Sequence, residues 1–177
     1  SMKGFGVDRM TAGVVAAGVA LHYLNETEHR NLQHISTLSR IEEDRFMWLD
    51  RFTIRNLELI GSLNENAVTL SDVLDHTSSP MGARLLKRWI VMPLKDKKSI
   101  QERLNVVDFF FTNRDLRDEL IGQIKQVGDL ERLISKIGLQ KANPREIVQL
   151  KRALYAIEKL KELTDRKDAD ALRTISD

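Results

Sequence analysis

The chain has 177 residues, 42% hydrophobic and 31% charged, enough for one domain with a real core or for two small packed units. Lys and Arg number 28 against 26 Asp and Glu, a formal net charge of +2, so any surface for a polyanion must be local rather than a property of the whole chain. The absence of cysteine excludes disulfides, thiolate metal sites and cysteine nucleophiles, and only 9 Gly and 3 Pro favour helices over a turn-rich sheet protein.

Ser1-Met2 resembles a cloning scar, and Lys3-Gly4-Phe5-Gly6 begins abruptly, as a piece of a longer protein does. The apolar stretch from Val14 to Leu24 is too short to span a bilayer and carries His22 and Tyr23; no basic leader with a cleavage site precedes it, so no membrane partner is expected. Val14, Ala17, Gly18, Leu21 and Leu24 recur at helical spacing and predict a helix from about residue 9 to 27 with a small-residue face. From Leu38 to Leu49 the pattern changes to short apolar runs, with Ile41, Phe46, Met47 and Trp48 around Glu42-Glu43-Asp44, which predicts a small antiparallel β-hairpin near residues 38-49.

Everything downstream reads as helix. One starts at Asp50 or Arg51 and runs to about Leu59, followed by the loop Gly61-Ser62-Leu63-Asn64-Glu65-Asn66. Thr69 and Asp72 have the spacing of a capping box, and Ser79-Pro80 places a cap before a proline at the first helical position; Pro93 ends that helix. Within it Leu85, Leu86 and Trp89 gather on one side, with Trp89 expected in the core, while Arg84, Lys87 and Arg88 gather on another. Ile100, Leu104, Val107 and Phe111, broadened by Val106 and Phe110, form the apolar stripe of the next helix, and Thr112 to Asp115 can cap the one after it. Leu130, Leu133, Ile134 and Ile137 mark a helix expected to stop at Gly138. Asn143-Pro144-Arg145-Glu146 is the strongest start in the chain. It opens a rod of about 20 residues, on the order of 30 Å long, through Ile147, Leu150, Leu154, Ile157 and Leu160. Residues 164-177 form a polar tail.

Catalytic motifs are scarce. No Gly-Lys-Ser/Thr phosphate loop occurs, since Gly122 and Gly128 lead elsewhere, and His22, His29, His34 and His76 never pair at the spacing that faces a metal from a helix. Asp72, Asp75 and His76 share a short helix, but a capping role for Asp72 is the simpler reading. The group Arg84, Lys87, Arg88, Lys95, Lys97 and Lys98 is the best candidate for DNA phosphates, weighed against a solvated face diluted by Asp96.

The strings LDRFTIRNLELI at Leu49 to Ile60 and TLSDVLDHTSSPMGARLLKRWIVMPL at Thr69 to Leu94 resemble the core of the MutS family of DNA mismatch-repair proteins. So do AAGVALHYL at Ala16 to Leu24, VGDLERLISKI at Val127 to Ile137 and ANPREIVQLKRAL at Ala142 to Leu154, in the same order and spacing. The resemblance implies a mainly α, multi-helix core or lever domain over residues 9-163. Residues 1-8 would be the scar and the end of the connector domain, and 164-177 would lead toward a clamp domain outside the sequence. It further implies Leu49, Asp50, Thr53, Arg55, Asn56, Leu57, Glu58, Gly82, Arg84, Trp89, Asp129, Arg132 and Pro144 as structural signature residues, with no catalytic, cofactor or metal residue in this chain. Arg55 and Glu58, three apart, are expected to form an ion pair or a network at the join between the hairpin region and the helices, open to partners outside the segment.

The role implied is structural and allosteric, coupling mismatched duplex DNA held by other domains to an ATPase that uses ATP and Mg, in a cytoplasmic, nucleoid-associated bacterial parent. That parent is expected to be dimeric and to meet a MutL-type partner. The alternative reading is an autonomous helical DNA-binding module using the basic Arg84-Lys98 surface.

Overall fold

The computed structural model describes residues 10–27, 35, 45–64, 66–165 and 172. The molecule is mainly helical, with eight helices and no strand among the described residues. Helix α1 (Thr11–Glu26) lies within the predicted span; it starts without a side-chain cap, ends with the Thr27 hydroxyl donating to the Tyr23 carbonyl at 2.8 Å, and buries none of its residues.

The predicted hairpin needs correction. Residues 38–44 lie outside the described residues, and residues 45–49 form no strand. Phe46 instead makes a single antiparallel bridge to Leu94. The Met47 amide donates to the Pro93 carbonyl at 2.8 Å and the Lys95 amide to the Arg45 carbonyl at 3.1 Å. Proline lacks an amide hydrogen but keeps its carbonyl, so it serves this pairing as an acceptor and cannot extend it as a donor.

Helix α2 (Arg51–Asn56) opens on Asp50, whose carboxylate accepts from the amide and hydroxyl of Thr53, both at 2.9 Å. It stops short of the predicted Leu59 because Glu58 takes φ +50°, which no helix continues through. The turn places the Glu58 and Leu59 carbonyls where the Leu70 and Ser71 amides donate to them, at 3.0 and 2.9 Å. Those amides are the first two of α3 (Leu70–Leu74), which have no partner within their own helix. Thr69 and Asp72 complete the predicted capping box.

Helix α4 (Pro80–Val91) starts on Ser79 with Pro80 in its first turn, as read from the sequence. Gly82 donates its amide to the Ser79 hydroxyl, and a Cβ there would sit 3.3 Å from that oxygen, so a larger residue would crowd the cap. Helix α5 (Lys97–Thr112) is capped by Asp96, α6 (Arg114–Val127) follows after Asn113, and α7 (Leu130–Gly138) is capped by Asp129. Asn113 does not cap α6 with its side chain; its Nδ2 donates back to the Phe109 carbonyl and so closes the end of α5. Gly138 is the last residue of α7, and the left-handed residue beyond it is Gln140, at φ +56°.

Helix α8 (Pro144–Thr164) is the predicted rod, 21 residues or about 30 Å, with the capping box between Asn143 and Glu146 in place. Its small residues Ala153 and Ala156 are buried against Val127 of α6, with Met81 of α4 and Leu130 of α7 packed alongside. Leu120, Leu133, Leu163 and Leu172 are also buried. Small side chains on one rod let the neighbouring backbone approach, and α6 and α8 form the most extensive helix pair among the described residues.

The α5 stripe is oriented opposite to expectation: Leu104, Val107 and Phe111 are 53, 63 and 68% exposed, while Arg103, Val106, Phe109 and Phe110 are half-buried. Periodicity identifies an apolar face; only tertiary packing decides what covers it. Trp89 likewise remains 40% exposed rather than entering the core, because one ring face is taken by the Arg103 guanidinium, 3.8 Å from the centroid.

Candidate functional site

Two charged junctions sit at opposite ends of α7. At its start, the Arg84 guanidinium on α4 grips Asp129 with Nη2 at 2.7 Å and Nη1 at 3.1 Å, and also donates to Glu131 through Nε at 3.0 Å. Asp129 is at the same time the cap of α7, accepting from the Arg132 amide at 3.3 Å. One carboxylate therefore organises a helix start and anchors a second helix to it. Arginine suits this position because its planar fork meets the two carboxylate oxygens at once. The Arg84 hydrogen bonds hold the Asp129 carboxyl below the usual carboxylate range, and the two acids push the Arg84 guanidinium above its ordinary value.

At the far end of α7, Lys136 donates to Glu146 at 2.5 Å. Glu146 also accepts from the Asn143 amide at 2.9 Å, within the capping box that begins α8. The lysine ammonium, followed by the Asn143 amide, depresses the Glu146 carboxyl. The same design recurs: a capping acid, needed locally to start a helix, is also the docking point for a cation from another helix. Acids at helix starts and a cation in the last turn of α7 both complement the helix dipoles. Asp129, Arg132, Lys136, Glu146 and Gln149 line a shallow polar cleft between α7 and α8.

The sequence located the caps but not what they hold, because Arg84 is 45 and 47 residues from its two acids. Among the residues expected as structural signature, Asp50, Thr53, Gly82, Arg84, Asp129 and Pro144 have explicit roles in caps or junctions. Leu49 is half-buried and Asn56 and Leu57 are exposed. Arg55 and Glu58 do not pair: the positive φ of Glu58 takes it off the helical face, its carboxylate accepts from the Ser62 hydroxyl at 2.5 Å, and Arg55 lies over the Phe52 ring instead. Glu131, Lys136 and Arg103 are the site residues that sequence reasoning missed, together with the second role of Glu146 as the partner of Lys136.

The six expected DNA-binding cations do not form one set. Arg84 is bound by the acids of α7, and Lys87 faces Asp72 and Asp75 of the α3 region. Arg88, Lys95, Lys97 and Lys98 are exposed, and none joins the ion pairs found among the described residues. Asp72 accepts from the Thr69 hydroxyl and amide, and Asp75 from the Thr77 hydroxyl and amide; these bonds lower both carboxyls, so neither is poised to donate a proton near neutrality. Among the described residues no group of three or more His, Cys, Asp or Glu is arranged to hold a metal ion, and no helix is long and apolar enough to cross a membrane.

A family model described as MutS domain III matches residues 52–176. The DNA mismatch repair protein MutS of Christiangramia forsetii is 52% identical over 177 residues, covering all of this chain and 20% of that protein. Those of Cytophaga hutchinsonii and Bacteroides fragilis are 49% and 51% identical over the same length, at 21% and 20% of their own. The chain thus spans about a fifth of the length of the curated relatives it matches.

Proposed function

The chain belongs to the MutS family, with its domain III over residues 52–176, and from that premise we propose that it is the structural and allosteric core of a DNA mismatch-repair protein, carrying state between DNA-binding and ATPase portions outside this sequence. In this reading the chain itself does no chemistry. Its parent binds mismatched duplex DNA through other domains, hydrolyses ATP with Mg, dimerises, meets a MutL-type partner and works in the bacterial cytoplasm at the nucleoid.

The observation that carries the reading is the pair of junctions on α7. A displacement of α4 pulls on Asp129 and Glu131 through the Arg84 fork; α7 is a single short rigid element; and Lys136 hands the movement to Glu146 at the root of the α8 rod. Elements joined through a few directional contacts shift as units, which is the physical requirement for a two-state relay.

The test replaces Arg84 with Gln in the full-length parent and measures three quantities: mismatch affinity, basal ATPase and the change in ATPase on adding mismatched duplex. Coupling through this junction predicts that the first two stay within about twofold while the DNA-dependent change falls roughly tenfold. An Arg84→Gln parent with undiminished DNA response would defeat the relay. The Arg84-Lys98 surface as an autonomous DNA-binding module fits less well at its Arg84 end, whose charge is already paired.

A further inference from the structure

The cations outside these junctions are concentrated along the stretch of chain where α4 gives way to α5. Between residues 87 and 103 the chain carries Lys87, Arg88, Lys95, Lys97, Lys98 and Arg103 against Asp96 and Glu102, so this short stretch has a larger positive excess than the whole chain. Asp96 is turned into the start of α5, accepting from the amide and hydroxyl of Ser99. The bridge between Phe46 and Leu94 brings Arg45 to the same corner, its carbonyl bonded to the Lys95 amide.

Arg103 differs from the surface lysines around it. Its guanidinium carbon lies over the Trp89 ring, 3.8 Å from the centroid, the residue is half-buried, and it makes no hydrogen bond or ion pair with an acid among the described residues. Burial, and the neighbouring Arg45 charge, both work against its protonated form. Two arginines are thus neighbours with no ion pair to either among the described residues, and one of them is held over an aromatic ring. A stacked fork needs little further ordering to grip an oxyanion.

We propose that the Trp89–Arg103 shelf, flanked by Arg45, Arg88 and Lys95, is a contact site for the phosphodiester backbone of nucleic acid. A single carboxylate would satisfy one guanidinium and leave the flanking cations unmatched. A backbone with a phosphate about every 3.4 Å per strand meets several of them together. The ring serves as a platform for the arginine, so contacts go to phosphate and carry no base preference. The shelf shares no residue with the α7 relay, so either can fail without the other.

Trp89 is also the reporter. In the Trp48→Phe chain, where Trp89 is the sole tryptophan, emission is followed while a short duplex of random sequence is added at about 50 mM and about 200 mM salt. The expected result is a saturable change in emission, with affinity falling steeply at higher salt. Arg103→Gln and Arg45→Gln should each weaken binding and lower the salt slope by about 0.9 for every phosphate no longer neutralised. Arg84→Gln should leave the affinity within about twofold, since its charge is held by the acids of α7. Far-UV circular dichroism reports folding, and Arg103→Lys, which keeps charge but loses the planar fork, should bind between the parent and Arg103→Gln. The proposal is overturned if the duplex leaves Trp89 emission unchanged, if folded Arg103→Gln binds as the parent does, or if poly-glutamate gives the response and duplex does not.

Discussion

Replacing Ala153 with Leu tests the α6–α8 interface directly. Ala153 is 0% exposed and lies in the cluster with Val127 and Ala156, closed around by Met81, Leu130, Ile157 and Leu160. Three additional carbon atoms at a fully buried point press on these neighbours, so α8 must shift against α6 or the side chains must leave their rotamers. Overpacking of this kind costs about 1–3 kcal/mol. For a chain of this length each kcal/mol shifts the melting temperature by roughly 2–4 °C, so the expected drop is about 2–12 °C. The adjacent Leu154 is 54% exposed, and Leu154→Ala should change stability by less than about 0.5 kcal/mol. Thermal unfolding of both variants, followed by far-UV circular dichroism, makes the comparison. Equal stability of Ala153→Leu and the parent, or a larger loss from Leu154→Ala, would show that the rod does not seat on its alanines.

Thr69 is buried and caps α3, so Thr69→Ala should destabilise by about 0.5–2 kcal/mol, read as a lower urea midpoint at unchanged slope; an unshifted midpoint contradicts the cap's role. Asp50, Asp72, Asp75, Asp96, Asp129 and Glu146 all have carboxyls held below their ordinary values. Their contribution is therefore complete above the unfolded carboxylate range, near pH 4, and is lost as pH falls below it. Melting temperature measured downward from pH 6 should hold and then decline, with Asp129→Asn and Glu146→Gln each flattening the fall; a profile flat into strong acid would contradict these assignments. Gln140 holds a left-handed conformation at φ +56° that glycine adopts freely, so Gln140→Gly should raise stability by about 0.5–1 kcal/mol, and a decrease would indicate that its side chain does more than occupy the turn.

What was legible in the sequence was what acts over three or four residues. Asn143-Pro144-Arg145-Glu146, Ser79-Pro80 and Thr69 with Asp72 each satisfy free amides from neighbouring side chains, so pattern and structure coincide. What was not legible depends on partners far along the chain. Arg84 reads as one more cation on a basic face until Asp129 and Glu131 are brought beside it. Phe46 and Met47 look like half of a local hairpin, yet their partner strand-like segment begins at Pro93. The α5 stripe and Trp89 failed for a related reason: apolar spacing cannot distinguish a face covered by this chain from one left open by it, and an arginine can occupy the place expected of an aliphatic neighbour. Gly138 ends α7 as its residue type suggests, yet the left-handed conformation falls two residues later, on Gln140.

The Leu70 and Ser71 amides, donated to the Glu58 and Leu59 carbonyls, hold the chain at both ends of an exposed excursion whose tip includes Leu63 at 83% exposure. With the anchorage supplied by main chain outside the excursion, its length is nearly free to vary, since doubling such a segment adds only about 0.6 kcal/mol of closure entropy. Residues 61–64 are therefore a natural port for an epitope or a dye, a handle by which this helical assembly could be labelled.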